Sequence, residues 1–175
     1  MTLDEAKEFY VRYLGSSFHM DREEPARYGS FMMLGLGKDT LGEWDEELLE
    51  RLFGDLRSGS GRAWVAHGRI LDVIRRNNCD AEASLGRLLD EMEKMARLDT
   101  FDITLVLENM AGRNESMNDG GAYVFRGHPD LVPRINDVVE RLIAACSERH
   151  DVDDRFERAV GRYRRAYEKW LASSV

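Results

Sequence analysis

The chain has 175 residues, 43% hydrophobic and 33% charged, which suits one domain with a full-sized core, or at most two small ones, and a densely charged surface. A formal charge of −8 and a pI near 5.1 argue against broad nonspecific binding to nucleic acid or anionic lipid, which needs a basic field, and leave room only for a local basic patch. No run approaches the ~18 apolar residues of a membrane span.

The first residues, Met1-Thr2-Leu3-Asp4-Glu5, carry no basic leader pattern. Cys79 and Cys146 lie far apart and outside any Cys-x-x-Cys pattern, as buried thiols of a reducing compartment do, so a cytoplasmic location is expected.

Thr2 and Glu5 have capping-box spacing, and Leu3, Ala6, Phe9, Tyr10, Tyr13 and Leu14 give the first helix a wide apolar face that stops at Gly15. After the connection Ser16–Glu24, Pro25 suits the first turn of a shorter helix with Tyr28, Phe31, Met32 and Leu34, broken by Gly35-Leu36-Gly37. Thr40 with Glu43 repeats the capping-box spacing, and Leu41, Trp44, Leu48, Leu52, Phe53 and Leu56 mark a third amphipathic helix. Ser58-Gly59-Ser60-Gly61 then forms a candidate hinge at 58–61.

Residues 62–98 read as an antiparallel helical hairpin around which the chain is organised. Its first helix buries Ala63, Ala66, Ile70, Val73 and Ile74, and its second buries Leu85, Leu88, Leu89, Met92, Met95 and Ala96, with Asp80 as the cap between them. The stretch Asp99–Met110 is ambiguous. Phe101, Ile103, Leu105 and Leu107 alternate as a strand would, whereas Ile103, Val106, Leu107 and Met110 fit a helix capped by Asp99 or Thr100. The helix is preferred, because the alternative, a small β-ribbon of 101–107 with 122–126, has only two strands and is marginal by itself.

The polar stretch Gly112–Gly127 is long for a connection without a role. Pro129 or Pro133 opens a helix with Leu131, Val132, Ile135, Val138, Val139, Leu142, Ile143 and Cys146 on its apolar face. Asp151 reads as the cap of the last helix, whose stripe is Phe156, Val160, Tyr163, Tyr167 and Trp170. The expected fold is therefore all-α: a single domain over 1–175 of about seven amphipathic helices, in an irregular bundle or α-hairpin stack.

Three sets of residues carry possible chemistry. The first is His19, Asp21, Glu23 and Glu24, which offer an imidazole and carboxylates to a divalent metal or a general base; the plainer reading, a carboxylate capping the helix at Pro25, is preferred. No other cofactor is indicated. The second is the acidic side of the third helix, Glu43, Glu46, Glu47 and Glu50, which lacks the Glu-x-x-His partners of a bundle di-metal site and reads as a solvated face. The third is the last helix, where Arg158, Arg162, Arg165 and Lys169 recur at i, i+4, i+7, i+11 with Tyr167 and Trp170 nearby. Such a stripe can dock an acidic partner or an RNA backbone.

Other signals are weaker. Ser58–Arg62 lacks the Walker ending of a phosphate loop, His67 reads as a packed histidine, and His128 before Pro129 reads as a turn residue. The favoured function is a non-catalytic protein-interaction or regulatory domain, binding a protein partner or a second copy of itself through a groove or the last helix. A small metal-dependent or acid-base enzyme using His19, Asp21, Glu23 and Glu24 is the alternative, and an RNA binder the second alternative. The partner, the substrate and the biological process are not written in the sequence.

Overall fold

Among the described residues the chain forms eight α-helices and one 3-10 turn. The computed structural model describes residues 1–13, 24–58, 63–76, 80–95, 98–111, 125, 127–149 and 151–173. Of the described residues 87% are helical and none is in a strand, so the expected all-α fold holds. The chain divides into two compact units, Met1–Ala81 and Glu82–Val175. Both helices of the expected hairpin form, one ending the first unit and the other opening the second, and each is described with its own unit.

The first unit holds α1 (Leu3–Tyr13), α2 (Glu24–Met33), α3 (Lys38–Arg57) and α4 (Ala63–Arg76). The capping box at the start of α1 is formed: the Glu5 N–H donates to Thr2 Oγ1 at 3.2 Å and the Thr2 N–H donates to Glu5 Oε2 at 2.6 Å. The Thr2 backbone N–H first, and the Thr2 hydroxyl after it, hold the Glu5 carboxyl below its ordinary pKa. After α2, Gly35 takes φ +58, a conformation costly for a residue with a Cβ, and its N–H donates to Met32 O at 3.2 Å.

Helix α3 starts three residues earlier than its capping-box signal at Thr40 suggests. Gly37 is the N-cap and supplies no side-chain bond; the Leu41 N–H closes the first turn on Gly37 O at 3.2 Å. Of the proposed hinge 58–61, only Ser58 is among the described residues, and its N–H caps α3 on Gly54 O.

The core of this unit lies where α3 packs on α1 and α4. Phe9 and Tyr10 of α1 meet Phe31 of α2 at ring separations of 5.4 and 6.1 Å, and Tyr10 meets Trp44 of α3 at 5.7 Å. Inside it the Tyr10 hydroxyl donates to Asp45 Oδ1 at 2.5 Å, giving a fully buried carboxyl a hydrogen bond. Helix α2 departs from its sequence pattern. Only Phe31 of its stripe is buried, while Tyr28, Met32 and Leu34 stay 37%, 58% and 39% exposed.

The second unit holds α5 (Ala81–Met92), α6 (Thr100–Ala111), a 3-10 turn (Pro129–Leu131), α7 (Val132–Ser147) and α8 (Asp154–Ser173). Leu85, Leu88, Leu89 and Met92 are all fully buried. Helix α5 ends at Met92 and does not run to Leu98: the Lys94 N–H bonds to Glu91 O and the Leu98 N–H to Met95 O, tightening the chain into i→i+3 turns.

The ribbon alternative for 101–107 is overturned, because those residues lie within α6. Asp99 caps it, accepting the Asp102 N–H at 2.7 Å, and Asp102 through Leu107 are all buried. Burial of six consecutive residues, more than a full turn, leaves that stretch without a polar face, which is why its periodicity is indistinct. Val132 follows the 3-10 turn directly, so Pro133 and not Pro129 stands in the first turn of α7.

Candidate interaction surface

Helix α8 is capped by Asp153 and not by Asp151. The Phe156 N–H donates to Asp153 Oδ1 at 2.9 Å, whereas Asp151 accepts the Thr100 hydroxyl of α6 at 2.8 Å. Phe156, Ala159, Val160 and Tyr163 are buried and lay α8 against α6, its main neighbour. The Tyr163 hydroxyl reaches Asn136 Oδ1 at 3.4 Å, and burial pushes its pKa up.

The cations of α8 fall into two groups. Arg155 and Arg164 are spent on structure: each makes a two-pronged pair, with Glu108 of α6 at 3.0 and 3.0 Å and with Glu140 of α7 at 3.0 and 2.7 Å. Arg158, Arg162, Arg165 and Lys169 make no ion pair with any described residue, and all but the half-buried Arg162 are exposed. At ~100° per residue these four share one face, turned away from the side that carries Phe156, Tyr163 and Trp170. Asp154, Glu157 and Glu168 lie to one edge of that face.

Tyr167 and Trp170 do not join the four cations. They stack on each other at 6.2 Å and hold the fully buried Phe125 ring at 5.9 and 6.2 Å, with Tyr163 closing the cluster at 6.0 Å. The aromatics therefore face inward and half-buried, and the cations face water, on opposite sides of one helix. Phe125 is the residue that the sequence reading missed. It closes a long polar stretch, and its only signal is the short apolar run Ala122-Tyr123-Val124-Phe125 at the end of that stretch.

Among the other candidates, His19, Asp21 and Glu23 lie outside the described residues; Glu24 opens α2. Cys79 and most of 112–127 also lie outside them. Among the described residues no group of three or more His, Cys, Asp or Glu is arranged to hold a metal. Glu43, Glu46, Glu47 and Glu50 are exposed, and Glu47 pairs with Lys7 at 2.9 Å. His67 is fully buried in α4, and burial lowers its pKa to about 3. His128 precedes the 3-10 turn, its carbonyl accepting the Leu131 N–H at 3.0 Å. Cys146 is a buried free thiol whose pKa is raised by burial.

No described helix is long and apolar enough to cross a membrane. No family model, curated protein or solved structure matches the chain.

Proposed function

We propose that this chain is a protein-interaction module that docks an acidic surface of a partner protein on the outer face of α8. The observation supporting this is the contrast within one helix. Two arginines are paired with glutamates, while Arg158, Arg162, Arg165 and Lys169 are left to solvent together. In a protein of net charge −8, a clustered cationic face is the part of the surface best suited to an acidic partner. A second copy of the chain, offering the exposed acidic side of α3, is the alternative partner. The buried thiol of Cys146 fits a reducing, cytoplasmic setting.

Fluorescence anisotropy with a labelled glutamate-rich helical peptide tests the reading, with poly-uridylate as the competing probe. The peptide is expected to bind, to weaken steeply with salt, and to be lost when all four cations are replaced by alanine. Binding of poly-uridylate alone transfers the face to nucleic acid. Sedimentation at raised concentration separates self-association from a foreign partner. Binding of neither probe, with a monomer throughout, removes the proposal.

A further inference from the structure

The outer face of α8 carries two parallel lines of charge. At ~100° and ~1.5 Å per residue, Arg158, Arg162, Arg165 and Lys169 fall within about 60° of arc and climb roughly 16 Å along the axis. Beside them, within about 60° of arc of their own, stand Asp154, Glu157 and Glu168. All three carboxylates are exposed, and none forms an ion pair with a described residue. Arg164 lies on the same side between Glu157 and Glu168, and its charge is held by Glu140. The second line is therefore acidic at both ends.

Between the two lines α8 has a gap. Gly161 stands in mid-helix, where glycine costs stability relative to alanine. A Cβ placed there would lie 3.3 Å from Arg165 Nη1, so the Arg165 guanidinium lies back along the helix over bare backbone. A partner's backbone can come close at that point, with only the end of a flexible side chain to move aside.

We propose that the acidic partner docks through a single α-helix whose carboxylates form one line with lysines beside it. The inference rests on α8 being the docking face and names what that face takes. The spacing i, i+4, i+7, i+11 recurs on any helix laid along α8, so four carboxylates keep level with the four cations. An extended chain sets same-side residues ~6.7 Å apart, so its fourth carboxylate passes Lys169 by roughly 3–4 Å. A polyanion charged on every side sets charge against Asp154, Glu157 and Glu168 as well, and the like charges oppose it. Neither line holds an apolar anchor, so the contact is weak, fast and salt-dependent, as transient docking is.

The test measures binding to the full chain, at low salt, of short peptides locked as helices by side-chain crosslinks. One carries the acidic line with lysines beside it. A second has the same composition with its charges scattered, and a third has glutamate in place of each lysine. The first is expected to bind about fivefold tighter than the scattered peptide, the upper range for exposed ion pairs. It also outbinds the third, although the third carries more negative charge.

Glu157→Lys is expected to reverse that last order, because it removes a repulsion and adds a cation. Glu82→Lys, the same change at an exposed position of α5, leaves the order as it was and so separates the local line from the net charge of −8. Glu168→Lys, whose cation suits the C-terminal part of a helix, repeats the reversal should Glu157→Lys melt early.

Tightest binding of the third peptide to the wild type overturns the inference and leaves α8 a plain cationic surface. So does a scattered peptide that binds as well as the first, or an order that both the Glu157 and Glu168 variants leave unchanged. Failure of all three peptides to bind removes α8 as the docking face.

Discussion

Arg155 and Glu108 face each other across α8 and α6 through two parallel hydrogen bonds of 3.0 Å each. The Glu108 side chain is only 15% exposed, and the Arg155 guanidinium lies 5.5 Å from the centre of the Phe101 ring. The bonds to Glu108 raise the arginine pKa further, so the guanidinium stays charged. Because geometry as well as charge is satisfied, the pair is worth more than an exposed ion pair, whose contribution is about 0–1 kcal/mol. Arg155→Lys keeps the charge and loses the fork, and Glu108→Gln keeps the shape and loses the charge. Each is expected to destabilise by about 1 kcal/mol, with the double variant costing less than the sum. Additive losses in urea melts would show that the two residues act independently.

Phe125 anchors the aromatic cluster against α8, with three rings within 6.2 Å of its own. Phe125→Ala removes a fully buried ring and is expected to cost roughly 3–5 kcal/mol. The near-ultraviolet circular dichroism of Tyr163, Tyr167 and Trp170 should fall with it. An unchanged melting temperature and spectrum would mean that the cluster stands without its centre.

The sequence was readable where one helix face is apolar and the other is not. In α7, the seven buried residues, Val132 to Cys146, are the ones its periodicity selects. Local caps were readable too, at Thr2–Glu5 and at Asp99, because both partners lie within three residues. Reading failed where tertiary context decides. Helix α6 is buried without a break from Asp102 to Leu107, more than a full turn, so its pattern fits a strand as well as a helix. Asp151 looks like a cap but serves Thr100, fifty-one residues away in the chain. The division of the α8 cations into paired and unpaired sets depends on Glu108 and Glu140, which no local spacing connects to them.

Leu88 lies at the fully buried face of α5, beside Leu85, Leu89 and Met92. Leu88→Asp puts a carboxylate where no water reaches it, and small rotamer changes cannot expose it. The expected loss exceeds about 4 kcal/mol, enough to unfold the second unit in a marginally stable protein. Leu88→Ala, by comparison, removes only packing and should cost about 2–5 kcal/mol with the fold retained. A Leu88→Asp variant melting like the wild type would show that the face is wrongly placed.

His67 and Asp102 should tilt stability in opposite directions with pH. Burial holds His67 neutral down to about pH 3 against an ordinary 6.5, so between those values the unfolded chain binds a proton that the folded chain refuses. Its contribution is complete above pH 6.5 and declines as pH falls toward 3, by up to roughly 4–5 kcal/mol at ~1.4 kcal/mol per unit. Asp102 is the reverse case. Burial first, and then the neighbouring Asp99, raises its pKa, so the folded state keeps a proton that the unfolded state releases. That contribution is complete below the ordinary 3.8 and is lost as pH rises through the raised value.

His67→Leu is therefore expected to flatten the decline of stability between pH 6.5 and 3, and Asp102→Asn to raise stability most at neutral pH. Urea melts across pH 3–7 give both slopes, and the His67 imidazole carbon shift followed by NMR gives an independent reading. An imidazole that titrates near pH 6.5 in the folded protein would show that α4 admits water at that position, and the predicted slope would vanish with it.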